Sequence, residues 1–122
     1  MKDSLVIGIE GSARHIVTRD MSPPHLPRVV LSTPMMIQLI ELTCLGVAQT
    51  HLDEGETTVG THVCVSHQAA VMEGEEFAIN VRLSAVERRR LTFAVEVEGP
   101  RGRVSEGTHE RAVVSLDRIR SD

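Results

Sequence analysis

Residues 29–52 read VVLSTPMMIQLIELTCLGVAQTHL, and this stretch decides the fold. It has the features of a helix start, because Thr33 is a good N-cap and Pro34 suits the first helical position, where a missing N–H costs nothing. The residues that follow are apolar on nearly every face. They predict a helix from Pro34 to about His51 that is buried inside the domain. Glu41 is the only formally charged side chain in the stretch.

Glu41 is the first indication of a functional site. Moving a carboxylate from water into an apolar interior is costly unless a partner pairs with it or its proton stays on. A histidine is a natural partner for such a group, and His67 ends the next predicted strand. The alternative is that Glu41 reaches solvent at an edge of the helix, which the apolar neighbours on every side disfavour.

The length and composition restrict the class of protein. At 122 residues the chain is long enough to bury its own core, so we predict a single domain over residues 1–122. The net charge of -4 and the lack of a basic patch with interleaved aromatic residues argue against nucleic acid as a partner. The histidines do not occur at metal-ligand spacing, and we expect no metal site.

Cysteine usage and hydropathy indicate a cytoplasmic protein. Cys44 and Cys64 lie in apolar segments without a CxxC pattern, so we expect two buried free thiols in a reducing compartment. The N-terminus MKDSLVIGIEG does not match a secretory signal, because its apolar run is short and Glu10 ends it. Residues 29–52 contain too many polar side chains to cross a membrane. We therefore predict no membrane partner.

Strand patterns lie on both sides of the helix. A first strand is predicted over residues 5–18, with a kink at Gly11, before a connection at 21–27 that contains three prolines. Short turns separate the later segments, which predicts antiparallel neighbours. Gly107 suggests a bulge in the last strand, and the tail from residue 117 is expected to be frayed. The four later strands are predicted over residues 59–67, 74–85, 91–97 and 103–116.

The alternation within these strands predicts which side chains face the core. In the second strand Val59, Thr61, Val63 and Val65 share one face, and His67 ends the run on the same face. The same rule gives two further inward sets: Phe77, Ile79, Val81, Leu83 and Ala85 in one strand, and Leu91, Phe93, Val95 and Val97 in its partner. One antiparallel sheet around one apolar helix is an α+β architecture. Because the helix is apolar on more sides than one sheet covers, we infer that a second subunit covers the rest.

Four motifs resemble one known family. They read STPMMIQLIELTCL, GTHVCVSHQAA, AVERRRLTFAVEV and GTHERAVV, and they occur in the family's order between residues 29 and 114. On these motifs the chain is similar to the fluoroacetyl-CoA thioesterases, which have the hot-dog fold. The resemblance implies an α+β hot-dog domain in which one antiparallel sheet wraps around a long central helix.

The resemblance also has implications for ligands and assembly. It implies an acyl-CoA thioester as the substrate, with coenzyme A as part of that substrate and no separate cofactor. It further implies a homodimer whose active sites lie at the subunit interface. Whether two dimers associate further is left open.

The resemblance assigns roles to five residues. Thr33 matches the family's catalytic threonine, Glu41 the glutamate of the helix, and His67 the catalytic histidine. Gly60 matches a glycine at an oxyanion-binding position, and Arg111 matches an arginine of the final strand at the substrate site. A hydroxyl, an imidazole and a carboxylate are the parts of a nucleophile, base and orienter set, and the same parts can activate water without a covalent step.

Each of these residues also has a purely structural interpretation. Thr33 would only cap the helix, and His67 would be a satisfied histidine at the edge of the core. Gly60 would only begin a strand beside a polar loop, and Arg111 would pair with a surface carboxylate. The arginine run 88–90 is typical of a solvated hairpin tip, with contact to the phosphates of coenzyme A as its alternative.

The residues and the resemblance together predict an acyl-CoA thioesterase acting on a small or short-chain acyl group. Specificity for fluoroacetate is not predicted, because the connection MSPPHLPRVVL is short and lacks the phenylalanines that gate the acyl pocket in the family. One alternative is a non-catalytic acyl-CoA binding or sensing module, although such a module has no need for a buried carboxylate. A second is an enoyl-CoA hydratase, whose aspartate and histidine motif is not found.

Overall fold

The chain folds into a sheet of five strands and one long helix. A computed structural model describes residues 1–121. The strands are β1 at Glu10–Ile16, β2 at Glu56–Val65, β3 at Glu76–Glu87, β4 at Arg90–Gly99 and β5 at Gly102–Ser115. The long helix α1 is Thr33–Gln49, a 3-10 turn lies at Arg19–Met21, and a short helix α2 is Leu116–Ser121. Apart from the 3-10 turn and α2, this is the predicted order of elements.

All neighbouring strands are antiparallel, and their order in the sheet is β1-β3-β4-β5-β2. Tight hairpins join β3 to β4 and β4 to β5, and in the second of these Gly102 adopts a φ of +105. α1 lies between β1 and β2 in the chain, and it packs against β1, β2 and β3. Because β1 and β2 are the two edges of the sheet, the helix crosses one face from edge to edge. The predicted α+β arrangement is thereby confirmed.

The core lies between α1 and the inner face of the sheet. Four helix residues at i, i+4 spacing form one completely buried stripe: Met36, Ile40, Cys44 and Ala48. The largest buried side chains of the sheet are Phe77, Ile79, Leu83, Leu91, Phe93 and Val95. The other sides of α1 are less covered in a single chain, where Leu42 is 52% exposed. No helix within residues 1–121 is long and apolar enough to cross a membrane.

α1 begins one residue earlier than predicted, and its N-cap is Ser32 rather than Thr33. The Ser32 Oγ accepts a hydrogen bond from the backbone N–H of Met35 at 3.2 Å, which satisfies a donor that the first turn leaves free. Pro34 lies in the first turn, as expected. The helix ends at Gln49, slightly before the predicted end. The capping assignment for Thr33 is therefore wrong.

A β-bulge at Thr61 changes which residues of β2 face the helix. The register of β2 against β5 shifts at this residue, which has no partner of its own on β5. Before the bulge, Thr58 is on the inner face and buried; after it, Val63 takes that face, directly opposite the buried His109. The predicted single face from Val59 onward is therefore wrong, and Val59 is exposed.

β1 is shorter than predicted. It begins at Glu10, because the chain turns at Gly8, whose φ of +103 lies in the region that favours glycine. The preceding segment still joins the sheet through a backbone hydrogen bond from Gly8 N–H to the carbonyl of Leu83. The predicted kink at Gly11 is absent, since Gly11 pairs regularly within the β1–β3 ladder.

The irregular positions of β3 and β5 also differ from the prediction. In β3 the register shifts at Ser84, so that Val86 rather than Ala85 continues the inner face. The bulge predicted at Gly107 is absent, because Gly107 pairs with β2 and β4 without a register shift. Its missing side chain instead allows the carbonyl of Cys64 to approach the backbone of β5.

Two predictions about exposure and the tail are corrected. Cys44 is buried as predicted, and its burial raises the pKa of the thiol to about 12. Cys64 is exposed, because it lies on the edge strand β2. The tail that was expected to be frayed forms α2, apart from Asp122, which lies outside the described residues.

We predict that Gly107→Ala is strongly destabilising and Gly11→Ala only mildly so. A Cβ at residue 107 would lie 2.0 Å from the carbonyl oxygen of Cys64, which cannot move without breaking the β2–β5 ladder. A Cβ at residue 11 would lie 2.2 Å from Cγ2 of Val47, a methyl group that can rotate away. The free energy of unfolding should fall by about 3 kcal/mol for Gly107→Ala and by about 1 kcal/mol for Gly11→Ala.

Urea titration followed by far-UV circular dichroism measures both values, since the chain has no Trp or Tyr for fluorescence. Equal losses of unfolding free energy for the two substitutions would contradict the argument that a backbone carbonyl is a harder obstacle than a rotatable methyl group.

Candidate active site

Thr33 and His67 meet where α1 begins and β2 ends. Thr33 is the first residue of α1, and His67 follows closely after the last residue of β2. Thr33 Oγ1 lies 2.7 Å from Nδ1 of His67, which is hydrogen-bond distance. Because Ser32 caps the helix, the Thr33 hydroxyl is available to the imidazole. A hydroxyl in contact with an imidazole is the arrangement of an activated nucleophile.

His67 is suited to accept a proton at neutral pH. Burial of the ring lowers the pKa of His67 below its ordinary value of 6.5, and a backbone hydrogen bond with Ala69 partly opposes this effect. A neutral imidazole has one nitrogen with a free lone pair, and it can take a proton from the Thr33 hydroxyl or from water. The pair therefore has the components of general-base catalysis.

A cleft of about 350 Å³ opens beside this pair. Besides Thr33 and His67, it is lined mainly by apolar side chains from the connection before α1 and from the segment after β2: Pro23, Leu26, Val30, Leu31, Ala69 and Ala70. Among residues 1–121, no formally charged side chain lines it. The cleft thus offers space for a small apolar group next to the reactive pair.

Glu41 lies in a second cluster, away from Thr33 and His67 of its own chain. It follows Thr33 by eight residues, which at ~1.5 Å per residue is ~12 Å along the helix axis. Its Oε2 lies 4.0 Å from Nη1 of Arg111, and its side chain is 40% exposed. The predicted pairing of Glu41 with His67 is therefore absent within one chain, where Arg111 takes the place of the histidine.

Arg111 is buried, and the carboxylate with which it pairs is that of Glu41, which is 40% exposed. Arg111 is 5% exposed; its Nε donates to Thr58 Oγ1 at 2.7 Å, and its Nη2 donates to the carbonyl of Thr58 at 3.0 Å. Its Nη1 donates to Nε2 of His109 at 3.0 Å. Burial lowers the pKa of Arg111 and the charge of Glu41 opposes this, so the guanidinium stays charged at neutral pH.

Gly60 allows this cluster to approach β2. A Cβ at this position would lie 3.3 Å from His109, 3.4 Å from Oε1 of Glu41 and 3.5 Å from Nη1 of Arg111. A Cβ would therefore be tight against His109 and in ordinary van der Waals contact with Glu41 and Arg111, so a larger side chain would have to displace this cluster. The strand begins at Glu56, so the alternative in which Gly60 only begins the strand is wrong.

The second cluster also contains Thr58 and His109, which the sequence analysis does not predict as site residues. The available signal was the spacing of His109 and Arg111, which lie two apart on a strand and so share a face. Two polar side chains on an inner face are unusual and indicate a site. The sequence alone does not show which face of β5 is the inner one.

Neither the arginine run at 88–90 nor the histidines indicate a further ligand site in the described part of the chain. In the arginine run Arg89 donates to the carbonyl of Val113 at 3.1 Å and to Oε2 of Glu56 at 3.0 Å. Within residues 1–121, no three side chains among His, Cys, Asp and Glu are placed together to hold a metal ion.

Solved structures with this fold include several thioesterases. The structure of the fluoroacetyl-CoA thioesterase FlK matches with a TM-score of 0.90 and 29% identity, over 98% of this chain and 95% of that chain. A thioesterase superfamily member from Thermus thermophilus matches in fold, with a TM-score of 0.87 and 22% identity over 96% of this chain and 89% of that chain. The fold thus places the chain in the hot-dog class of thioesterases.

The sequence comparisons identify the family within this class. A family model described as fluoroacetyl-CoA-specific thioesterase matches residues 7–117. The fluoroacetyl-CoA thioesterase of Streptantibioticus cattleyicolor is 32% identical over 108 residues, which are 88% of this chain and 77% of that protein. The chain belongs to the fluoroacetyl-CoA-specific thioesterase family. The predicted family, fold and thioester hydrolase class are thereby confirmed, while the roles of individual site residues stay predictions.

We predict that Ser32→Ala lowers stability and that Thr33→Ala does not. Ser32→Ala removes the oxygen that accepts from Met35 N–H, which should cost about 1 kcal/mol of unfolding free energy. Thr33 is exposed and caps nothing, so its loss should change stability by less than about 0.5 kcal/mol. Urea titration of the two variants measures this difference. A larger loss for Thr33→Ala would mean that the threonine is the cap after all.

Proposed function

We propose that this protein hydrolyses small acyl-CoA thioesters at sites shared between two subunits. Each site would use Thr33 and His67 of one subunit, with Glu41, Gly60 and Arg111 of the partner subunit. The 2.7 Å contact between Thr33 Oγ1 and His67 Nδ1 carries this proposal, because it joins a hydroxyl to a base beside an apolar cleft.

In this proposal His67 is the general base. It takes the proton of the Thr33 hydroxyl as the oxygen attacks the thioester carbonyl, and the carbon–sulfur bond then breaks. The imidazolium returns the proton to the departing thiolate of coenzyme A, and the acyl group stays on Thr33. A water molecule, deprotonated by the same imidazole, releases the carboxylic acid and restores the hydroxyl. A route in which His67 activates water directly uses the same contact without an acyl-enzyme.

The groups of the partner subunit would stabilise the charges that form on His67 and on the thioester oxygen. The Glu41 carboxylate beside His67 would stabilise the imidazolium as it forms. Gly60 has no side chain, so its backbone N–H can approach the thioester oxygen and stabilise negative charge on it. Arg111 would fix the orientation of Glu41 through the ion pair that they make within one chain.

The exposed surface near Glu41 supports a site shared by two subunits. β2 is an edge strand on which Val59 is exposed, and Leu42 next to Glu41 is exposed as well. An open edge presents unpaired backbone groups on which another strand can pair, and exposed apolar side chains mark surfaces of association. Two copies of β2 paired about a two-fold axis run antiparallel, so the end of one strand, near His67, lies beside the first half of the other, where a Cβ on Gly60 would lie 3.4 Å from Oε1 of Glu41.

The cleft supports a small, uncharged acyl group. Its volume of about 350 Å³ is limited, and the described residues that line it carry no formal charge that could pair with a second carboxylate on the substrate. A solved variant of FlK, 28% identical to this chain with a TM-score of 0.89, is in complex with acetyl-CoA. Fluoroacetate specificity is not part of the proposal, because the connection before α1 has no phenylalanine. No cofactor is part of the proposal, since coenzyme A belongs to the substrate and is released as the thiol product.

We predict that His67→Ala lowers kcat by ~10²–10⁴-fold in a folded protein, because it removes the general base. Release of free thiol from acyl-CoA substrates, from acetyl through phenylacetyl to long-chain, measures the rate and identifies the acyl class. His15→Ala is the matched control: it removes a histidine on β1 that contacts Phe77, and its rate should stay near that of the wild type.

The pH dependence of kcat/KM is a second test of His67 as the general base. The base must be neutral, so kcat/KM of the wild type should fall as the pH falls through the lowered pKa of His67, below 6.5.

Unchanged turnover in folded His67→Ala would contradict the assignment of His67 as the general base. Binding of a non-hydrolysable CoA thioether by a wild type without any turnover would instead favour the acyl-CoA binding module.

We predict that a mixture of His67→Ala and Glu41→Gln chains regains activity that neither variant has alone. In a mixed dimer, one site combines an intact His67 with the partner's intact Glu41, and the other site carries both substitutions. After joint refolding of equal amounts, half of the dimers are mixed and half of their sites are intact, so about a quarter of wild-type turnover should return. Mixed dimers without recovered turnover, or a monomer by light scattering, would contradict the shared site.

A further inference from the structure

His109 is a completely buried histidine outside the cleft. It lies on β5 with 0% exposure, and it does not line the cleft at Thr33 and His67. Its ring lies between two partners: Nδ1 is 2.8 Å from the carbonyl oxygen of His62, and Nε2 is 3.0 Å from Nη1 of Arg111. Both ring nitrogens are therefore engaged, as the burial of a polar ring requires.

These partners fix the protonation state of the ring. A carbonyl oxygen only accepts, so Nδ1 of His109 carries the proton and donates to His62; a guanidinium only donates, so Nε2 is unprotonated and accepts from Arg111. The charged groups that face the ring are Arg111 and Glu110 on β5 and Glu41 on α1. Burial lowers the pKa of His109, in agreement with a neutral ring. A second proton, on Nε2 of His109, would point at the N–H of Arg111 Nη1, so that two donors would face each other.

His109 also completes the set of acceptors around Arg111. The guanidinium has five N–H groups, of which one on Nε and one on Nη2 donate to Thr58 and one on Nη1 donates to His109. Because the guanidinium is planar and rigid, these three bonds fix the direction of the second N–H on Nη1. That nitrogen lies 4.0 Å from Oε2 of Glu41.

We propose that His109 is a positioning residue for thioester hydrolysis, which acts through Arg111 to hold the Glu41 carboxylate in its working orientation. This inference rests on the proposed function, in which Glu41 serves the partner subunit's site. Without an acceptor at Nε2, the guanidinium would be held at fewer points, and both it and the carboxylate would shift. A displacement of about 1 Å in a catalytic group costs on the order of 10²-fold in rate.

Two substitutions separate the two hydrogen bonds of His109. His109→Gln places an amide oxygen near the position of Nε2, which keeps an acceptor for Arg111 and removes the donor to His62. His109→Asn places an amide N–H near the position of Nδ1, which keeps the donor to His62 and removes the acceptor for Arg111. Each variant therefore loses the imidazole and one of its two bonds.

We expect kcat of His109→Asn to fall by ~10–10²-fold with little change in KM, and His109→Gln to keep most of the wild-type kcat. If His109 were only a packing residue, the two variants would differ in the free energy of unfolding but not in kcat. Equal kcat values, or a larger loss for His109→Gln, would overturn the proposal. If His109→Asn does not fold, His109→Met fills the volume without a strong acceptor and takes its place with the same expectation.

A measurement independent of activity distinguishes this proposal from the function on which it rests. ¹⁵N NMR of the wild type should show His109 protonated at Nδ1 and unprotonated at Nε2. The Nη signals of Arg111 should be sharp in the wild type and in His109→Gln, and broadened in His109→Asn. A wild type that hydrolyses no acyl-CoA would refute the proposed function, while these signals would still test the positioning. A proton on Nε2, or unchanged Arg111 signals in His109→Asn, would refute the positioning whatever the activity.

Discussion

The extra residue at Thr61 is the constraint on which the arrangement of the site depends. A regular strand presents every second side chain to one face, so Thr58 and His67, an even and an odd position, would point to opposite faces of a regular strand. The bulge changes the phase once between them. As a result Thr58 contacts Arg111 on the inner face, and His67 contacts Thr33 at the start of the helix. Within one chain the edge position of β2 makes the bulge tolerable, because it disturbs only the ladder between β2 and β5.

The second cluster follows a different physical rule. Taking a guanidinium out of water costs several kcal/mol, and in Arg111 this cost is offset by three hydrogen bonds and by the nearby charge of Glu41. Such a buried charge contributes little to stability, since well-packed apolar residues of similar volume are often as stable. A buried arginine that holds a half-exposed carboxylate at its edge is therefore better explained by function than by folding.

Most of the architecture could be predicted from the sequence, because it depends on apolar periodicity. The i, i+4 stripe from Met36 to Ala48 and the alternation from Leu91 to Val97 are visible in the residues themselves, and they define the helix and the sheet. The residues themselves indicated Glu41 and His67, while the resemblance added Gly60 and Arg111 and gave Thr33 a role other than that of a cap.

The remaining features depend on information that a single segment does not contain. Ser32 and Thr33 are adjacent and both are good caps, so the choice between them rests on the backbone angles of one residue. The bulge at Thr61 is invisible because the alternation of valines continues through it, and the change of phase appears only in the pairing with β5. The partner of Glu41 likewise depends on the register between strands, which brings Arg111 opposite Gly60.

The position of Thr33 at the first residue of α1 has an electrostatic consequence. The peptide dipoles of a helix of 17 residues add to the equivalent of roughly half a positive elementary charge at its N-terminus. Negative charge that develops on an oxygen at Thr33 is therefore formed in a favourable field, although no formally charged side chain in the described part of the chain lines the cleft. The field comes from backbone that is already fixed by packing against the sheet, so it requires no reorganisation when the charge appears. The helix that fills the core of the domain thus also acts as the fixed dipole of the site.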